Sequence, residues 1–187
     1  TFISAHAPTE EKNEIVKEQF YEDLERVFDG IPRHDMKMVL GDFNAKVGKE
    51  NFTSPACGQH SLHEITNENG RMMVEFANGR DMAVEGTWFP HKNVHKITWR
   101  SPNNEVKNQI DHILVDRRHC SAIKDVRNLR GADIGSDHHL VKTEVRIKIK
   151  KGGKFSGNLM NKWNVKKLEE KEVNENYIKE INKELNK

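Results

Sequence analysis

The sequence has no stretch approaching the roughly 18 consecutive apolar residues that a membrane helix needs, and no signal-peptide pattern stands in it. No membrane partner is therefore expected. Cysteine is scarce: Cys57 and Cys120 lie far apart and neither belongs to a Cys-x-x-Cys pair. Such spacing speaks against a disulfide scaffold and reads as two free thiols in a reducing compartment. Charge of one sign is lacking too, because 31 Lys and Arg against 29 Asp and Glu leave a formal net charge of +2. Bulk charge thus makes no case for a polyanionic partner, and any such attraction must come from local clusters or from a bound metal. No internal repeat is visible.

What is present is a 187-residue chain that is 35% hydrophobic and 32% charged. That balance gives one domain with a thin core, or a piece of a larger domain whose remainder completes it. The chain opens at Thr1 inside a strand-like Phe2-Ile3, so an incomplete N-terminus is the expectation.

Phe2 to Ala5 reads as a short strand, closed by Pro8. Thr9 offers an N-cap with Glu10 and Glu11 in a first helical turn. Val16, Phe20, Leu24, Val27 and Phe28 recur at helical spacing until Gly30 and Pro32. An apolar strand, Met36 to Leu40, runs into Gly41-Asp42-Phe43-Asn44, and a polar loop follows. A second helix is expected over Asn69 to Asn78, with Met72, Met73 and Phe76 inward and Gly79 as C-cap. The pattern then turns to strands: Met82 to Gly86, Lys96 to Trp99, Gln109 to Val115 and Ala122 to Leu129. Ser101-Pro102-Asn103-Asn104 forms a turn between two of them. Val141, Thr143, Val145, Ile147 and Ile149 alternate with charged residues, which predicts one buried and one solvated face. Lys151-Gly152-Gly153-Lys154 reads as a hinge. Beyond it Val173, Tyr177, Ile181 and Leu185 mark an amphipathic helix without an evident partner in the chain. The plan is an α/β layered domain over residues 1–150 and a charged linker with a helical tail over 151–187.

Three polar clusters stand where strands end, the usual place for catalytic groups on a rigid scaffold. They are Gly41-Asp42-Phe43-Asn44, Asp111 within Gln109-Ile110-Asp111-His112, and Ser136-Asp137-His138-His139. Each alone has a plain structural reading: an Asx-type turn, a strand carboxylate paired with a lysine, an ordinary histidine. Together, in this order, they match the needs of phosphodiester cleavage. Asp42 can deprotonate water, and Asn44 can donate to a phosphate oxygen while keeping Asp42 in place. A protonated His138 can stabilise the charge gathered in the pentacoordinate transition state, and Asp111 can orient His138 and favour its protonated form. A hard divalent cation, Mg2+ or Mn2+, would take oxygen ligands such as Asp137.

These clusters resemble the late motifs of the endonuclease/exonuclease/phosphatase family, the group of deoxyribonuclease I and the apurinic endonucleases. The motifs are Gly-Asp-x-Asn, a strand carrying Ile-Asp, and Ser-Asp-His, and the resemblance runs from Thr1 to about Lys150. It implies the C-terminal half of a four-layer α/β sandwich, with the N-terminal half missing. In the family the residue at Asp42 acts on the nucleophilic water, the one at Asn44 helps hold it and the phosphate, and those at Asp111 and His138 form a hydrogen-bonded pair. Val39 to Gly48, Phe89 to Trp99 and Asn108 to Val115 are similar to endonucleases of non-long-terminal-repeat retrotransposons and their host-encoded relatives. That likeness implies DNA as partner, nicking as activity and the nucleus as the place of work. The tail from Lys162 to Leu185 resembles the segment leading toward a reverse transcriptase region.

Two departures stand out. The family's metal-binding glutamate and early asparagine belong to the N-terminal half and have no counterpart here. His6, in Ser4-Ala5-His6-Ala7-Pro8, stands where the family usually carries a phosphate-contacting tyrosine, which makes a ring-nitrogen contact to phosphate the expectation for it. The hairpin Thr98 to Gln109 corresponds to a groove-entering loop in the family, with Lys92, Lys96, Arg100, Asn103, Asn104 and Lys107 as its candidate nucleic-acid contacts. The leading reading is a metal-dependent DNA-nicking endonuclease in partial form, weak or inactive on its own. The alternative is a catalytically silent, domesticated fragment that serves as a binding module.

Overall fold

The computed structural model describes residues 1–132, 135–147 and 165–185. It divides into two compact units, Thr1–Lys148 and Ile149–Lys187. In the first unit the chain order is β1 (Phe2–His6), α1 (Glu14–Asp29), β2 (Met38–Asp42), α2 (Glu68–Gly79), β3 (Met82–Val84), β4 (Trp99–Arg100), β5 (Lys107–Asn108), β6 (Asp111–Asp116), β7 (Ile123–Leu129) and β8 (Leu140–Val145).

A four-stranded sheet in the order β1-β2-β6-β3 forms the centre. β1 runs parallel to β2, and β6 runs antiparallel to both β2 and β3. Alternation gives this sheet two apolar faces. Val39, Phe43, Val84 and Leu114 pack with Tyr21, Leu24 and Phe28 of α1 and Met73, Phe76 and Ala77 of α2. Met38, Ile113 and Val115 point the other way and pack with Ile123 and Val126 of the separate β7–β8 pair. Burial on both faces explains the uninterrupted Ile113-Leu114-Val115 run in β6. Each such side chain, when fully buried, contributes roughly 1.5–3 kcal/mol.

Three sequence expectations need correction. Helix α1 begins at Glu14 and not at Thr9, because Asn13 takes the cap and accepts from the Val16 amide at 3.0 Å. Glu10 is committed elsewhere: its carboxylate accepts from the Glu68 and Asn69 amides and the Asn67 side chain, where the start of α2 carries unpaired amides. Gly79 is the last residue of α2, and Arg80 is its cap. Along β8, Val141 packs on the second core, but Leu140, Val145 and Ile147 are exposed. The alternation marks a face, but the two-stranded β7–β8 sheet covers only part of it. Ile149 and the expected hinge at 151–154 lie outside the described residues.

Cys57 and Cys120 are both free, and burial pushes each thiol up to about 12. Among the described residues no helix is long and apolar enough to cross a membrane. In the second unit a 3-10 turn, Val165–Glu169, precedes α3 (Lys171–Leu185), which carries the expected apolar positions and has no buried residue.

Candidate active site

β2 and β6 are central neighbours, and their register sets Asp42 opposite Asp111 at one end of the sheet. The chain turns sharply after Asp42. Asn44 adopts a left-handed φ of 48°, which asparagine tolerates better than most residues. Its amide N–H donates to Asp42 Oδ1 at 2.8 Å, and its side-chain Nδ2 donates to the Ala7 carbonyl at 2.9 Å. That second bond ties the turn to the end of β1 and directs one donor of Asn44 away from any substrate. Asn67 and Asn69 at the start of α2 both reach the Asn44 carbonyl at 3.3 Å, and Asn67 Oδ1 also accepts from the Lys46 amide at 2.8 Å.

The third component arrives on the hairpin β4–β5. Trp99 bridges His138 in antiparallel fashion, the Arg100 amide donates to the Asp137 carbonyl at 3.0 Å, and the His139 amide donates to the Thr98 carbonyl at 2.7 Å. The Ser-Asp-His segment is thus held as a short third strand on this hairpin. The Ser136 hydroxyl accepts from the His138 amide at 3.1 Å. The His138 ring then meets Asp111, with Nδ1 at 3.2 and 3.1 Å from the two carboxylate oxygens, and Nε2 lies 4.0 Å from Asp42 Oδ2. One imidazole therefore faces both carboxylates.

Thr98 was not singled out by its sequence. It is buried, and its hydroxyl accepts from the Ile110 and Asp111 amides at 3.0 and 3.1 Å. A single residue therefore fixes the backbone that carries Asp111 and, through its carbonyl, the backbone beside His138. Thr98→Val leaves two amides unsatisfied and removes this clamp, at an expected cost of about 1–3 kcal/mol. Thr98→Ser keeps the hydroxyl and is expected to recover most of that loss. Chemical denaturation of both variants checks this, and equal stability of Val and Ser variants would contradict it.

Burial raises the Asp42 carboxyl above its ordinary range; the Asn44 amide opposes that, the Asp111 carboxylate adds to it, and His138 and His6 pull it back. Two carboxylates this close disfavour each other's charge, and a cation between them would remove the conflict. One donor atom from each of Asp42, Asp111 and His138 lies within 4.8 Å of the others. Two hard oxygen donors and one imidazole suit a divalent cation such as Mg2+ or Mn2+. The site opens into a cleft of about 520 Å³ lined by Asn44, Lys46, Asn67, Trp99, Asn108 and His138. Neither Lys46 nor Asn67 was anticipated; their place follows from the α2 cap folding back on the Asn44 turn, which no local pattern signals.

The other expected site residues fall apart from this cluster or around it. Asp137, expected as a metal ligand, accepts from the Trp99 indole N–H at 2.8 Å, which holds its carboxyl below the ordinary range; it is not among the three clustered donors. His6 is exposed at the end of β1, paired in register with Asp42. Lys96, expected to meet phosphates, is buried, and this desolvation, reinforced by Lys49, lowers its pKa. The correction has a local cause: residues 93–95 form a 3-10 turn, strand β4 starts only at Trp99, and the Lys96 stem folds inward. Lys92 and Lys107 are exposed and Arg100 is half-buried. Asn103 braces the hairpin tip through Ser101 and Glu105, and Asn104 takes its left-handed corner at φ 59°.

A two-sided α/β core thus carries a carboxylate pair and a carboxylate-bound histidine at its strand ends. The chain belongs to the endonuclease/exonuclease/phosphatase family, whose model matches residues 4–138. It is 34% identical over 150 residues to craniofacial development protein 2 of Bos taurus and 33% identical over 150 residues to that of Tragulus javanicus. These matches cover 80% of this chain and only 25% and 26% of the relatives, so the chain spans about a quarter of their length. Among solved structures, the 3′ phosphatase NExo from Neisseria bound to product DNA hairpin superposes with a TM-score of 0.56 at 23% identity, covering 78% of this chain and 61% of that one. The endonuclease domain of TRAS1, a telomere-specific non-LTR retrotransposon, gives 0.52 at 12% identity, covering 78% and 57%. An AP endonuclease from Archaeoglobus fulgidus gives 0.56 at 17% identity, covering 78% and 61%. At these identities the structures speak for the fold.

Proposed function

We propose that the chain carries the site of a metal-dependent DNA phosphodiesterase that nicks one strand, in the manner of a retrotransposon endonuclease. The observation that supports this best is His138 held by Asp111 at 3.1 Å while its other nitrogen faces Asp42. In this reading Asp42 accepts a proton from the attacking water, aided by the Asn44 amide that fixes one of its oxygens. His138, oriented by Asp111, presents its Nε2 to the phosphoryl oxygens as negative charge builds. Lys46 and Asn67 line the cleft beside them and are placed to meet the flanking backbone. A divalent cation held by carboxylate oxygens of Asp42 and Asp111 would supply further charge neutralisation. With DNA as substrate, the nucleus is the expected place of work.

Supercoiled plasmid incubated with the purified chain and Mg2+ or Mn2+ is expected to relax slowly, and chelation by EDTA to stop relaxation. Nicking that persists undiminished in EDTA would overturn the metal-dependent reading. A plasmid that is bound but never nicked would favour the binding-module alternative.

A further inference from the structure

We infer that a cavity beside the edge strand β3 is a second ligand site, one that takes a small aralkylammonium. The ammonium of such a ligand meets the Glu85 carboxylate, and its apolar body lies against Trp88 and Phe89.

β3 is the outermost strand of the central sheet and pairs with β6 from Met82↔Asp116 to Val84↔Leu114. The chain leaves both strands in 3-10 segments, Glu85–Thr87 after β3 and Arg117–Ala122 after β6. Residues from both segments line a cavity of about 250 Å³: Ala83, Glu85, Trp88, Phe89, Arg117 and Cys120. None of them belongs to the Asp42–Asp111–His138 cluster or to its cleft. The aromatic wall is fixed in place. The Thr87 hydroxyl donates to the Val84 carbonyl at 2.6 Å and accepts from the Gly58 amide at 2.8 Å. The Trp88 indole N–H donates to the Ala56 carbonyl at 3.3 Å, so its polar atom is spoken for.

Glu85 is what this wall leaves without a partner. It is 3% exposed, and its Oε1 is fully buried with no hydrogen-bond partner among the described residues. It also stands in none of the ion pairs found among them. A buried carboxylate without a counter-charge is costly. Burial raises this carboxyl above its ordinary range, and a hydrogen bond with the Cys120 thiol opposes the rise. That thiol is itself pushed up to about 12, so it stays neutral and supplies no charge. Arg117 is committed to Asp81, with Nε donating to Oδ1 at 2.8 Å and the backbone amide donating to the Asp81 carbonyl at 2.9 Å. A water can satisfy Oε1 but brings no charge. An ammonium does both, and aromatic rings such as Trp88 and Phe89 attract a cation further. Ligand clefts run about 300–1,000 Å³. This one is smaller, which limits the occupant to a single ring on a short chain.

The test titrates the full chain calorimetrically with phenethylammonium, 2-phenylethanol and phenylacetate, which share a ring and differ in charge. Phenethylammonium is expected to bind about tenfold more tightly than the others, the scale of one hydrogen bond to a charged group. Glu85→Gln should erase that preference and leave 2-phenylethanol binding as it was. Trp88→Leu should weaken the ammonium about threefold, the scale of one cation–π contact. Asp111→Asn, outside the cavity, should leave it within about twofold. Equal affinity for all the probes, or no binding of the ammonium, overturns the inference. So does a loss in Asp111→Asn as large as that in Glu85→Gln, which would put the cation at the carboxylate pair. Should melting curves show that Glu85→Gln fails to fold, Trp88→Leu decides: the expected loss supports the site, and unchanged affinity overturns it.

Discussion

Asp42→Asn is expected to lower the rate of metal-dependent plasmid nicking by about 10²–10⁴-fold, the range that loss of a positioned general base brings. The substitution is nearly isosteric and keeps an oxygen for the Asn44 amide, which donates to Asp42 Oδ1 at 2.8 Å. What it removes is the charge that, in the proposed mechanism, receives a proton from water and helps hold a cation. Because burial and the neighbouring Asp111 already disfavour that charge, the neutral amide should leave the melting temperature unchanged or raise it. Relaxation of supercoiled plasmid, with thermal melting alongside, separates the two effects. A variant as active as its parent would remove Asp42 from the mechanism, and one that melts early would point to a folding defect.

Gly41→Ala should have the largest effect on stability of any methyl addition in the central sheet. Gly41 has φ +150°, a region L side chains rarely adopt, and a Cβ there would lie 1.8 Å from the Ala5 carbonyl oxygen on β1. Neither strand can yield easily, since β1 and β2 are paired from Phe2↔Met38 to His6↔Asp42. Strained backbone of this kind costs about 1–3 kcal/mol, and overpacking adds a similar amount. The expected total is about 4 kcal/mol, or a fall in Tm of roughly 10–20 °C for a unit of this size. Urea denaturation with an unchanged midpoint would contradict it. The same contact explains why Asp42 is preceded by the one residue type that lets β1 come so close to the Asp42–Asn44 turn.

The clustering of three polar groups was readable because they sit at strand ends with strong local signatures. Asp42 follows an apolar run, Asp111 interrupts one and His138 precedes one, and the structure brings all three together. The central helices and strands were readable for the same reason, since Leu24, Met73 and Leu114 fall on faces set by their period. What stayed hidden depends on partners distant in sequence. Thr98 matters only because β6 starts beside it, and Asn67 only because the α2 cap meets the Asn44 turn. Thr9 was the expected cap, but Asn13 takes that place, and Glu10 instead engages the start of α2. Periodicity in β8 identified a face without telling how much of it is covered, and a lysine near a basic hairpin gave no sign that Lys96 turns inward.

The pairing of Asp42 with Asp111 across β2 and β6, closed by a histidine delivered from the hairpin, has a thermodynamic consequence. None of these groups is a sequence neighbour of another, so a chain with the central sheet undone retains no residual pocket. Occupancy of the site and folding of the unit Thr1–Lys148 are then linked equilibria. A cation or a phosphate diester bound at the cluster acts as a folding ligand for the whole unit, and its affinity reports the population of intact sheet as well as the quality of the site.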